Sequence, residues 1–99
     1  MRKEKVRDLI GCRVKEFCDN HLCVVIGNPS TRSPRYIVMM EDPKTTYGWI
    51  MGDEEIWYFQ DESLRHYRGR RCSCLYEGDF ELLNTPLGNN FNESNKERN

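Results

Sequence analysis

Two short apolar runs dominate the pattern of the chain: Leu22-Cys23-Val24-Val25-Ile26-Gly27 and Tyr36-Ile37-Val38-Met39-Met40. Between them, residues 28–34 hold Asn28, Pro29, Ser30, Ser33 and Pro34, which is turn material. Two runs around such a break predict a long-looped antiparallel hairpin. Neither run alternates cleanly between apolar and polar residues. Both therefore predict strands covered on two faces, at the centre of a sheet or barrel.

The flanking segments extend this pattern. Residues 10–17 predict a first strand, with Ile10, Cys12 and Val14 on one face and Arg13 and Lys15 on the other. Asp19-Asn20 turns the chain back, so that residues 18–21 form a hairpin tip. Residues 45–51 predict a fourth strand, with Tyr47, Trp49 and Met51 sharing a face and Gly48 marking a bend or bulge. Residues 56–59, Ile56-Trp57-Tyr58-Phe59, predict a fifth and strongly aromatic strand. Residues 61–68 predict one or two helical turns, capped by Asp61 and stopped by Gly69. Residues 70–76 predict a sixth strand, Glu77-Gly78-Asp79 a turn, and residues 80–83 a short closing strand. Val6, Leu9 and Ile10 fall at helical spacing, which allows a short leading turn that must dock or fray.

Residues 84–99 contain six asparagines and little that is apolar, so they predict a disordered tail. The expectation is an all-β domain: a small five- to six-stranded antiparallel barrel over residues 9–83, with one short helical turn. A charged N-terminal arm, residues 1–8, precedes it, and the C-terminal tail, residues 84–99, follows.

Two segments carry a resemblance. Ile10-Gly11-Cys12-Arg13-Val14-Lys15-Glu16-Phe17 opens a hairpin, and Tyr76-Glu77-Gly78-Asp79-Phe80-Glu81-Leu82 closes the array. In order and pattern the chain resembles the small Src-homology-3-like barrels of the Tudor, KOW and chromo-barrel kind. The resemblance spans roughly residues 9–83. It implies a fold whose members mostly bind peptides, modified side chains or nucleic acids, and it carries over no catalytic residue.

Composition sharpens the picture in two places. Hydrophobic residues make up 37% and charged ones 31%, so the core must rest on few, large side chains, for which the 11% aromatics are suited. The net charge of -1 gives no global pull on nucleic acid or membrane, but the charges are blocked along the chain. Residues 1–16 carry six basic and three acidic groups, residues 36–63 one basic and seven acidic, and residues 64–71 four basic and none acidic. The first eight residues resemble no secretory signal, and no run approaches membrane-spanning length. Five cysteines without a signal predict free thiols in a reducing cytoplasm.

Few constellations promise chemistry. Cys18, Cys23, Cys72 and Cys74, with His21 as a substitute, are the residues for a zinc site, but the one-residue gap between Cys72 and Cys74 is awkward for shared ligation. Small core thiols are the simpler expectation, and no cofactor is predicted. His21 and His66 are the two histidines available to a cysteine nucleophile, and no motif presents one. Asp53, Glu54 and Glu55 sit in a predicted turn and read as solvated.

Tyr36, Tyr47, Trp49, Trp57, Tyr58 and Tyr67 are the aromatic candidates for a binding surface, with Trp49 and Tyr58 expected in the core. Adjacent Trp57 and Tyr58 cannot share one face of a strand, so at least one points outward.

Arg65, Arg68, Arg70 and Arg71, with His66 and Tyr67, form the best basic-aromatic cluster, either free for a partner or, where they face Asp53, Glu54 and Glu55, tied up in internal salt bridges. The expected function is thus a non-enzymatic protein-interaction module, in the manner of a small inhibitor or adaptor. Its expected partner-binding residues are Trp57, Arg65, Tyr67, Arg68, Arg70 and Arg71. The alternative is nucleic-acid or nucleotide binding through residues 65–71. An exposed edge strand leaves room for a homodimer.

Overall fold

The structure, a computed structural model, describes residues 6–83. Its strands are β1 (Arg13–Glu16), β2 (Leu22–Gly27), β3 (Tyr36–Met40), β4 (Trp49–Ile50), β5 (Arg71–Leu75) and β6 (Phe80–Leu82). One α-helix, α1 (Asp53–Phe59), and a 3-10 segment, Glu62–Tyr67, lie between β4 and β5. A second 3-10 turn, Glu77–Asp79, leads into β6.

The six strands form one antiparallel sheet in the order β4-β5-β3-β2-β1-β6. The two apolar runs are its two central strands. Val14, Cys23 and Met40 lie in one cross-strand row, and Val25, Val38 and Ser73 in another.

Both faces of the centre are covered, which is why the runs do not alternate. Tyr36, Val38 and Met40 of β3 join Val14, Cys23, Val25, Leu75 and Phe80 in a first core. Ile37 of the same strand joins Ile26, Cys72, Met51, Ile56 and Leu64 in a second. The second core is capped by α1 and the first 3-10 segment, which supply Ile56 and Leu64. Over the β1–β6 end, the charged pairs Arg13–Glu41 and Lys15–Glu81 stand in place of a covering helix.

The sheet is not closed into a barrel. β4 and β6 are its two edges, and β6 pairs with β1 alone. The segment expected as a fifth strand is helical instead, and this removes the strand that would continue the wall. Gly52 precedes the helix and donates its backbone N–H to the Glu55 carboxylate at 2.9 Å, with Asp53, Glu54 and Glu55 all in the first turn. Acids there suit the helix dipole, and the Glu55 contact satisfies an amide at the helix start. Ile56 and Phe59, three residues apart, turn inward to the second core. Local capping and this spacing outweigh the strand preference of the aromatic residues.

β4 is also shorter than expected, at two residues. Gly48 before it has φ +87°, and a Cβ there would lie 2.0 Å from the Cys72 carbonyl oxygen. The chain therefore bends tightly against β5 before pairing begins.

Asp61 caps the 3-10 segment, its carboxylate accepting from Ser63 N–H at 3.0 Å, and Gly69 follows at φ +83°. At the other end of the chain, residues 6–9 form no helical turn. They are tied down by Leu9, buried in the first core, and by the Tyr36 hydroxyl, which donates to the Arg7 carbonyl at 3.0 Å. The expected tail, residues 84–99, and the first five residues of the arm lie outside the described residues.

Candidate functional site

The exposed aromatic surface is built by α1. Seven helical residues have one buried member, Ile56. Trp57 and Tyr58 consequently face away from the second core, Trp57 with 75% of its surface exposed and Tyr58 with 51%. The expectation that at least one of the two points outward holds for both. Tyr58 is not the core residue expected of it, because the helix turns it outward with Trp57.

Beside them opens a cleft of about 800 Å³ between α1 and the β4–β5 edge. Trp49 and Phe59 stack in it with ring centroids 6.3 Å apart and planes at 24°. Tyr58 meets Phe59 edge-on at 5.1 Å and 83°. Trp49 is half-buried against the second core, as the sequence predicts. The rim carries Asp53, Glu54 and Glu55 from α1, with Arg35 also in the lining. Cys74 lines the cleft as well. Burial pushes its thiol up, against the opposing pull of Arg35, so it is neutral at pH 7.

Of the two arrangements open to the arginine cluster, free or paired with the acids of residues 53–55, two of its members take the second in part. Arg65 lies 3.5 Å from Asp53 and 2.7 Å from Glu62, and Arg68 lies 3.4 Å from Asp53. The hydrogen bond and charge of Glu62 raise the Arg65 pKa further. Arg71 is half-buried and donates to the Gly48 carbonyl at 3.3 Å. Tyr67 packs partly buried on the second core. Arg70 remains exposed. The fold therefore gathers Trp57, Arg65 and Arg68 around Asp53, and it assigns Tyr67 and Arg71 structural contacts. Arg7 of the N-terminal arm is paired with Glu77 at 2.6 Å, away from α1.

The four thiols weighed for zinc do not converge. Cys23 is in the first core, Cys72 and Cys74 belong to the opposite face, and Cys18 is exposed at the hairpin tip. Among the described residues, no group of three His, Cys, Asp or Glu side chains is placed to hold a metal ion.

Glu54, Phe59 and Arg35 are not among the expected binding residues, and Tyr58 is an aromatic candidate that the sequence places in the core. A signal for two of them is present in the sequence: Asp53 and Trp57, and likewise Glu54 and Tyr58, are four apart. On a helix, but not on a strand, that spacing puts a carboxylate beside each ring. No protein-family model, no curated protein and no solved structure matches this chain. Among the described residues no helix is long and apolar enough to cross a membrane.

Proposed function

We propose that the protein is a non-enzymatic binding module that takes a segment of another protein against Trp57 and Tyr58, in the cleft beside α1. The observation that carries this is the 75% exposure of Trp57 next to an aromatic cleft. A large ring left in water gains little for the monomer but loses much apolar surface when a partner covers it. Tryptophan, tyrosine and arginine are the residues on which binding energy concentrates.

Two of the buried thiols are not poised as nucleophiles. Burial pushes Cys23 and Cys72 up to about 12, where the thiolate is scarce at neutral pH. All five cysteines are free, which suits a reducing compartment such as the cytoplasm.

Nucleic-acid binding through residues 65–71 is the weaker proposal. Two of its four arginines already face Asp53 and Glu62, and the adjoining rim is acidic. Arg65 and Arg68 accordingly serve to brace α1 against the 3-10 segment more than to meet a ligand.

Affinity capture from lysate with wild-type and Trp57→Ala baits, with and without nuclease, tests the proposal. Nuclease-resistant protein partners lost from the Trp57→Ala bait are expected. Partners recovered equally by both baits would contradict it, and recovery abolished by nuclease would favour the nucleic-acid alternative.

A further inference from the structure

The charges around the cleft are unequal, and the inequality bears on what fills it. Asp53 and Trp57, and Glu54 and Tyr58, are pairs one turn apart on α1, and all four residues line the cleft. The three carboxylates of the rim are differently engaged. Asp53 faces Arg65 and Arg68 at 3.5 and 3.4 Å. Glu55 accepts the Gly52 N–H at 2.9 Å. Glu54 has no ion-pair partner among the described residues. It stands as an unbalanced negative charge on the same helical face as the exposed ring of Tyr58.

Among the described residues Arg35 is the one cation in the lining, and a ring outside the lining engages it. Arg35 lies over the Tyr76 ring, with its guanidinium carbon 5.4 Å from the ring centroid. That contact is also an internal instance of the chemistry at issue, since it holds a guanidinium on an exposed tyrosine face.

We infer that the segment bound in this cleft presents a basic side chain, lysine or arginine. Its cationic head lies between Glu54 and the faces of Tyr58 and Trp57, and its aliphatic stem covers Phe59. The inference rests on the binding role proposed above and specifies the occupant. Aromatic walls alone accept any apolar group; the unpaired carboxylate selects for positive charge. An acidic segment meets repulsion from the same carboxylate, so the charge acts as much by exclusion as by attraction. Ring faces attract ammonium and guanidinium groups alike, so lysine and arginine both satisfy the site.

A randomised peptide library displayed on phage, panned against the full chain, is the test. Clones that bind wild type but not Trp57→Ala define the peptides that use the cleft, and those peptides are then synthesised. Circular dichroism first establishes that Trp57→Ala and Glu54→Gln keep the wild-type fold, as expected at two exposed positions. Trp57-dependent peptides are expected to share a lysine or arginine. They should bind Glu54→Gln about threefold to tenfold more weakly and weaken as salt is raised. Trp57-dependent peptides without a basic residue, or with unchanged affinity for Glu54→Gln, would overturn the inference and leave the binding role standing. A library that yields no Trp57-dependent peptide overturns both.

Discussion

Glu16 and His21 meet across the tip of the β1–β2 hairpin, with His21 Nδ1 2.8 Å from the Glu16 carboxylate. The carboxylate is nearly fully buried, with Glu16 only 2% exposed. It also accepts the backbone N–H groups of Cys18 and Asp19, while the His21 ring stacks on Tyr47 with centroids 4.6 Å apart. A buried carboxylate is tolerable only when its lone pairs are filled in this way. The tip holds its shape through one acid, where the sequence shows merely an Asp-Asn turn signal.

Stability should therefore fall on acidification. Burial pushes the Glu16 carboxyl up, but the hydrogen bonds from His21 and the backbone of Asp19, Cys18 and His21 outweigh it and hold it below the ordinary value. A depressed folded value means that the contribution is present above the ordinary glutamate range and is lost as pH falls through the folded value. Urea titrations from pH 7 to pH 3 should show a stability loss that is smaller in Glu16→Gln. At pH 7, Glu16→Ala should cost about 2–3 kcal/mol, as expected when hydrogen bonds to a charged group are removed. Equal pH profiles for wild type and Glu16→Gln would contradict this role.

Among the described residues Gly48 is the least replaceable glycine. Its φ of +87° and the 2.0 Å approach of a notional Cβ to the Cys72 carbonyl oxygen leave no room for a side chain. Gly48→Ala should cost about 2 kcal/mol or more in chemical denaturation, through left-handed backbone strain and displacement of β4 from β5. Gly78→Ala is the control: nothing lies within 4 Å of its notional Cβ, and a change within about 0.5 kcal/mol is expected.

The thiols should separate by reactivity. Cys18 is exposed, whereas Cys12, Cys23 and Cys72 are buried. Burial raises all three buried thiols, Cys23 and Cys72 to about 12. Alkylation of the native protein at pH 7.5, mapped by mass spectrometry, should label Cys18 first and the buried three only on unfolding. Rapid labelling of Cys23 or Cys72 under native conditions would show that the two cores are open.

Most of the sheet was legible because its signals are local. Two apolar runs without alternation marked β2 and β3 as central strands, and their positions in the sheet agree. Asp61 and Gly69 bounded the 3-10 segment, and the Glu77-Gly78-Asp79 turn placed β6. Barrel closure depended instead on residues 53–59. Their aromatic content favours a strand, while Gly52, three acids and the inward pair Ile56 and Phe59 favour a helix. Read as a strand, that segment sends Tyr58 to the core and leaves Glu54 in a solvated turn. Pairing of Arg65 and Arg68 with Asp53 is undecided in the sequence for another reason: twelve and fifteen residues separate them, and the contact exists only once α1 packs on the 3-10 segment.

That packing has its own test. Leu64 is completely buried in the second core, beneath α1. Leu64→Ala should destabilise by about 2–4 kcal/mol, and near-neutral behaviour in urea would show that the 3-10 segment is not anchored there.

Under the proposed function, Trp57 is kept in water for a partner and not for the fold. The direct measurement is the change in Kd on Trp57→Ala for the tightest peptides panned on the wild-type chain without counter-selection, with Tm recorded for both proteins. A loss of binding of about tenfold or more is predicted, as for a residue at the centre of an interface, with Tm within about 2 °C of wild type. An unchanged Kd, or a collapse of Tm that accounts for the loss, would contradict it.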